Sequence, residues 1–136
     1  MKSYNSFDIK PKIAVDVDNK EKPYKLLNNV AYISGDYKNR EVYRIVINKG
    51  YTWNGANIPR FLWRIIGSQF NPEFLPASMV HDYLCENKGF IIKKGAKISS
   101  DIFRDILVLT GVPKIKANIM SAAVFAFQLT QKGWRN

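Results

Sequence analysis

The chain predicts an α+β protein in which a small N-terminal antiparallel sheet packs against three to four C-terminal helices. Two observations carry this. Apolar residues alternate with a period of two through residues 6–50, and from about residue 58 the period switches to 3.6. A third bounds the size. At 136 residues, the chain suits one domain built on one core, sheet-rich over 6–50, a loop over 50–60 and helical over 58–131.

The strands come first. Residues 12–17 and 30–33 alternate, and 41–47 is the strongest strand because Val42, Ile45, Val46 and Ile47 are β-branched. Asn19, Pro23, Asn28, Asn29 and Gly35 separate them as turn residues, and Gly50 closes the sheet. The first helix is expected over 58–66, with Pro59 at a tolerated first-turn position and Gly67 past its end. A second opens near Pro76 and runs to about Glu86. A third starts at Ser99 or Ser100, either of which can cap it, and stops at Gly111, Val112 and Pro113. The last spans about 114–131. It is apolar on most sides, which predicts a central position. No repeat or low-complexity linker marks a domain boundary.

Composition excludes several classes. The 46% hydrophobic and 13% aromatic content is that of a globular chain, not a disordered one. The N-terminus has no apolar segment of a secretory signal, and the run from Ile119 to Leu129 is too short to span a bilayer. A single cysteine, Cys85, leaves no internal disulfide and no cysteine-based zinc cage, which fits a reducing compartment. The net charge of +10 is large and uneven: residues 87–136 balance at +7 and residues 51–86 at −1. Lys88, Lys93, Lys94 and Lys97 cluster, and Lys114 and Lys116 follow. Such a surface attracts nucleic acid, anionic lipid or an acidic protein, although a plain solvated surface carries the same charge and no nucleic-acid motif accompanies it.

The one histidine, His81, is followed by Asp82. Histidine titrates near neutrality, so a lone one beside a carboxylate is where proton chemistry or metal binding would concentrate. The alternative is a structural histidine with a satisfied hydrogen bond. Ala77, Val80, His81 and Leu84 fall on one helical stripe, with Asp82 about 100° further round. Cys85 follows His81 by one turn and reads either as a ligand or nucleophile partner or as a small buried hydrophobe. Asp101 and Asp105 share a face and repel unless a cation lies between them; Arg104 can pair with one of them. Asp101 is placed to orient His81, or to complete an oxygen-rich divalent-cation site with Asp82, or simply to sit in the first turn of its helix. The loop 50–60 supplies Asn54 as a possible amide contact and Asn57 as a site residue or helix cap.

Gly50 and Tyr51 through Arg60, Ala77 through Leu84, and then Ser100, Asp101, Ile102 and Phe103 resemble, in order and spacing, a phage and prophage family catalogued as domain of unknown function 1353. The resemblance covers about residues 40–130. It implies a bacteriophage or prophage origin, with placement in the bacterial host cytoplasm or the virion. It also implies an assembled pocket whose matching positions are Pro59, Arg60, His81, Asp82 and Asp101. Three positions depart from the family pattern: Asn54 replaces an Asp, Asn57 a Ser and Cys85 a Tyr. If that Asp is catalytic or metal-bound, this chain has lost activity or uses an amide instead.

Two functions follow. In the first, a small metal-assisted hydrolase, His81 is general base for water, Asp82 or Asp101 orients it or holds a divalent cation, and the 54–60 loop covers them. In the second, a non-enzymatic phage accessory or virion-associated protein binds a host factor or polyanion through its basic surface. His81 and Asp82 then form a buried polar network.

Overall fold

The computed structural model describes residues 4–36, 41–55, 58, 61–62, 72–86 and 88–130. It is α+β, with strands in the N-terminal part and helices in the C-terminal part. Its contacts cluster into two compact units, residues 1–54 and 55–136.

The N-terminal unit contains six strands: β1 (Tyr4–Phe7), β2 (Ile13–Val15), β3 (Tyr24–Leu26), β4 (Val30–Asp36), β5 (Glu41–Ile47) and β6 (Thr52–Trp53). They form two three-stranded antiparallel sheets, ordered β1-β4-β5 and β2-β3-β6, rather than the one small sheet expected. The period-two pattern is clearest in β5. Ile45 and Ile47 are buried while Val42, Arg44 and Val46 are exposed. β5 pairs with β4 from Val30↔Ile47 to Asp36↔Glu41. Directly opposed aromatic residues mark the registers of β1 with β4 and of β3 with β6. Phe7 faces Tyr32 with ring centroids 5.1 Å apart, and Tyr24 faces Trp53 at 5.6 Å. Sequence ended the sheet at Gly50, yet the chain returns as β6. Gly50 has φ +97°, which glycine adopts without a Cβ penalty, and its N–H donates to Leu26 O. A two-residue strand carries no period to read.

The C-terminal unit holds α1 (Leu75–Glu86), α2 (Lys88–Leu109) and α3 (Lys114–Leu129). Phe61 and Leu62 are also helical, where a helix is expected over 58–66; Ile58 is a buried bend ahead of them, and residues 59–60 and 63–66 lie outside the described residues. α1 is buried through Leu75, Pro76, Ala77, Ser78, Met79, Val80, His81, Asp82 and Leu84. It packs on α2, with Phe74 edge-on to Phe103 at 5.9 Å.

Two helix expectations need correction. α2 begins at Lys88, so Ser99 and Ser100 are interior residues and not N-caps. The helix runs through Gly89 and Gly95, although each costs a helix roughly 1 kcal/mol. Ser99 and Ser100 are buried against α3 instead. Gln128 Nε2 donates to Ser99 Oγ at 2.9 Å, and Ser121 Oγ donates to the Ser100 carbonyl at 2.8 Å. The second correction concerns α3, which is not central. Ile115, Ile119 and Leu129 are exposed. The helix stop was correctly placed. Val112 N–H bonds Leu107 O, Gly111 N–H bonds Val108 O, and Gly111 has φ +114°. This is the Schellman arrangement that glycine permits.

Candidate functional site

α1 carries His81 and Asp82 into the interior, at 1% and 2% exposure. Helical spacing does this, since Ala77, Val80, His81 and Leu84 form one buried stripe and the next face, with Ser78 and Asp82, is also buried. His81 lies edge-on to Phe103, ring centroids 5.5 Å apart. Its Nδ1 is 3.8 Å from Cys85 Sγ, one helical turn on. Its Nε2 is buried with no hydrogen-bond partner among the described residues.

The electrostatics favour neutral groups. Burial lowers the His81 pKa from 6.5 to about 4, with the Gln128 carboxamide pulling weakly the other way. Burial, then the Asp82 carboxylate, pushes the Cys85 thiol well above its ordinary range. A thiolate–imidazolium nucleophile needs the opposite shifts. Both shifts favour a neutral thiol beside a neutral imidazole, with Cys85 half-buried.

Gln128 stands near both groups but is not placed to bond either one well. Its Nε2 is committed to Ser99 Oγ, and its Oε1 is buried with no hydrogen-bond partner among the described residues. Sequence reading did not mark Gln128. The available signal was a lone carboxamide in the otherwise apolar final turns of α3.

Asp82 has a positional task. Its Oδ2 accepts the Gly55 N–H at 2.9 Å, a buried bond across 27 residues. Gly55 has φ +73°, a conformation glycine adopts without a Cβ penalty, and its carbonyl accepts the Ile58 N–H at 3.0 Å. Replacing Asp82 with Ala would leave a buried N–H without its acceptor. The expected loss is about 1–3 kcal/mol, with faster hydrogen exchange at the Gly55 amide. Asp82→Asn keeps a carbonyl acceptor and should lose less. Equal losses in chemical denaturation would show that the Gly55 bond is not what Asp82 provides.

Asp101 keeps other company. It lies 3.7 Å from Arg104, which also holds Asp105 at 3.1 Å, so the cation sits between the two carboxylates as their spacing requires. Asp101 is the fourteenth residue of α2, so a first-turn dipole role does not apply. Two residues along the helix separate it by about 200° from Phe103, the ring that packs on His81. Asp101 and Arg104 instead line an open pocket of about 330 Å³ with Asn118, Ser121 and Phe125. Of the loop residues, Asn54 is half-buried; Asn57, Pro59 and Arg60 lie outside the described residues. Among the described residues, no group of three or more His, Cys, Asp or Glu is placed to hold a metal ion. No helix among them is long and apolar enough to cross a membrane.

Residues 26–124 match the family described as "Protein of unknown function (DUF1353)". The chain belongs to the DUF1353 family. The match crosses the boundary between the two contact units, so the last residue of β3, all of β4 to β6 and most of the helical unit are DUF1353 sequence. The chain is also similar to two curated proteins of Sinorhizobium fredii. "Uncharacterized protein y4jT" is 36% identical over 77 residues, which is 54% of this chain and 21% of that protein. "Uncharacterized protein y4iH" is 30% identical over 80 residues, 59% of this chain and 32% of that protein. The similarity thus spans a third or less of each relative's length. No solved structure matches this DUF1353 chain.

Proposed function

We propose that this DUF1353 protein is a non-enzymatic accessory of a bacteriophage or prophage that binds a phosphate-bearing polyanion through its basic surface, in the host cytoplasm or the virion. The observation that carries the non-enzymatic reading is the burial of His81. An imidazole sealed from solvent and held neutral by desolvation does not exchange protons with bulk water at neutral pH. His81, Cys85, Gln128 and Ser99 then serve as the polar interior of one folded domain running from residue 1 to 136. The net charge of +10 supports the polyanion. α2 carries four of the lysines, Lys88, Lys93, Lys94 and Lys97, within its first ten residues.

The test is a titration of duplex DNA and of anionic vesicles at several salt concentrations. DNA is expected to bind, with affinity falling steeply as salt rises, because each neutralised phosphate releases counterions. Replacing Lys93, Lys94 and Lys97 with Gln should flatten the log–log salt slope by about two to three and leave stability within ~0.5 kcal/mol. Binding to vesicles but not DNA would reassign the partner to a membrane surface. No binding to either at low salt would sink the polyanion reading.

One observation favours a metal-assisted hydrolase instead. His81 Nε2, buried beside Asp82 in sequence, has no hydrogen-bond partner among the described residues, and such an atom suits a cation or a bound water. Under that reading His81 and Asp82 hold the group. A divalent cation that raises Tm in the native chain but not in His81→Gln would favour it.

A further inference from the structure

We propose that the exposed face of α3 is a homodimer interface, in which two copies of the chain pair their α3 helices antiparallel. Ile115, Ile119, Ala122, Ala126 and Leu129 are all exposed, Ile115 at 77% and Ile119 at 57%. They recur at intervals of four, three, four and three, the spacing by which one helix seats against another. At about 100° per residue they fall within an arc of about 80°. That arc lies directly opposite Ala117, Met120, Ser121, Val124 and Gln128, which face the interior. α3 therefore has two apolar sides, and only one is covered.

The face also lacks what a solvated helix carries. Residues 117–131 include no Asp, Glu, Lys or Arg, although 24% of the chain is charged. An exposed helix surface without charge is a mark of an interface centre, where charged residues are depleted.

The occupant follows from how the face fits itself. In an antiparallel pair with its two-fold axis between Met120 and Ser121, Ile119 of one copy meets Ala122 of the other, and Ile115 meets Ala126. Each contact occurs twice by symmetry. Both pairs set a large side chain against a small one, which fills space evenly and lets the backbones approach, while Leu129 falls beyond the start of the partner's α3. A parallel pair would set Ile119 against Ile119 and Ala122 against Ala122, alternating crowded layers with voids. From Ile115 to Ala126 the stripe runs large, large, small, small, so it complements its own reverse, and a second copy supplies that reverse.

A two-helix contact of this length lies at the low end of interface size, so the dimer is concentration-dependent. Sedimentation equilibrium from about 10 µM to about 1 mM, the range of such affinities, should show the mass rising from 15.6 kDa towards twice that value. Ile119→Lys sets like charges into the seam and should shift half-association at least tenfold upward. Ile115→Lys, at the most exposed position, should do the same and gives a second readout if Ile119→Lys folds poorly. Orientation is tested by mixing an Ile119→Cys chain with an Ala122→Cys chain under mild oxidation. The antiparallel pair gives the mixed disulfide in preference to either self-linked product. A monomer across the whole range, a dimer indifferent to both lysines, or preferential self-linking at 119 would each overturn the proposal.

Discussion

Replacing Phe103 with Ala should destabilise the helical unit by about 3–5 kcal/mol, the usual cost of emptying a large aromatic site in a core. Phe103 is fully buried and meets Phe74 and His81 edge-on. Its removal forfeits apolar burial and leaves a cavity that two fixed helices cannot close. For a unit of this size Tm should fall by on the order of 10–30 °C. The same change has a chemical readout. His81 loses part of the apolar wall that keeps it neutral, so its pKa should rise from about 4 towards 6.5. Val108→Ala, on an exposed position of α2, should cost under ~0.5 kcal/mol. A Phe103→Ala loss no larger than that of Val108→Ala would contradict the packing described.

The second large effect is acid sensitivity centred on His81. The folded pKa is about 4 against an ordinary 6.5, because burial disfavours the charged imidazole. A group whose folded pKa is depressed contributes stability above its unfolded value and loses it as pH falls. The contribution is thus intact above about pH 7, declines below 6.5 and is exhausted near 4, a span of roughly 3 kcal/mol. Between about pH 7 and pH 5, before most carboxylates titrate, unfolding free energy should drop by about 2 kcal/mol. His81→Asn removes the titrating group and should flatten that interval, at the cost of lower stability at neutral pH. NMR titration of the imidazole checks the same quantity directly. A His81 that titrates near 6.5 in the folded protein would remove the basis for reading it as a sealed structural residue.

The fold was legible where periodicity was long and uninterrupted. Val42 to Ile47 alternates for a whole strand, and Ala77, Val80, His81 and Leu84 mark the buried stripe of α1. It was illegible where local chemistry and tertiary context disagree. Ser99 and Ser100 look like caps because their hydroxyls commonly satisfy the first N–H groups of a helix. Here they meet Gln128 and Ser121 across a helix pair, and no local signal announces a partner more than twenty residues away. The abundance of apolar residues in α3 predicted a central position, yet hydrophobicity counts residues and not the surfaces that cover them. The same limit governs the site. Sequence correctly singled out His81 and Asp82 as polar residues on an apolar helix. Their burial, and the bond between Asp82 and Gly55, depend on tertiary packing, which adjacency in sequence does not reveal.

Ser100 with Ser121, and Ser99 with Gln128, act together as a vernier on the helix pair. The two α3 residues are seven positions apart, about 10.5 Å along the axis, while their α2 partners are adjacent. Helices joined by greasy contact alone can slide by a turn and repack with similar energy. These cannot, because any slide takes the Ser99 hydroxyl and the Gln128 carboxamide out of mutual reach in a dry setting. The consequence is an uneven tolerance to change. Aliphatic neighbours such as Val124 and Ile106 can be exchanged for others of similar volume, whereas inserting or deleting one residue between 121 and 128 would rotate one peg out of its hole while the other stays seated.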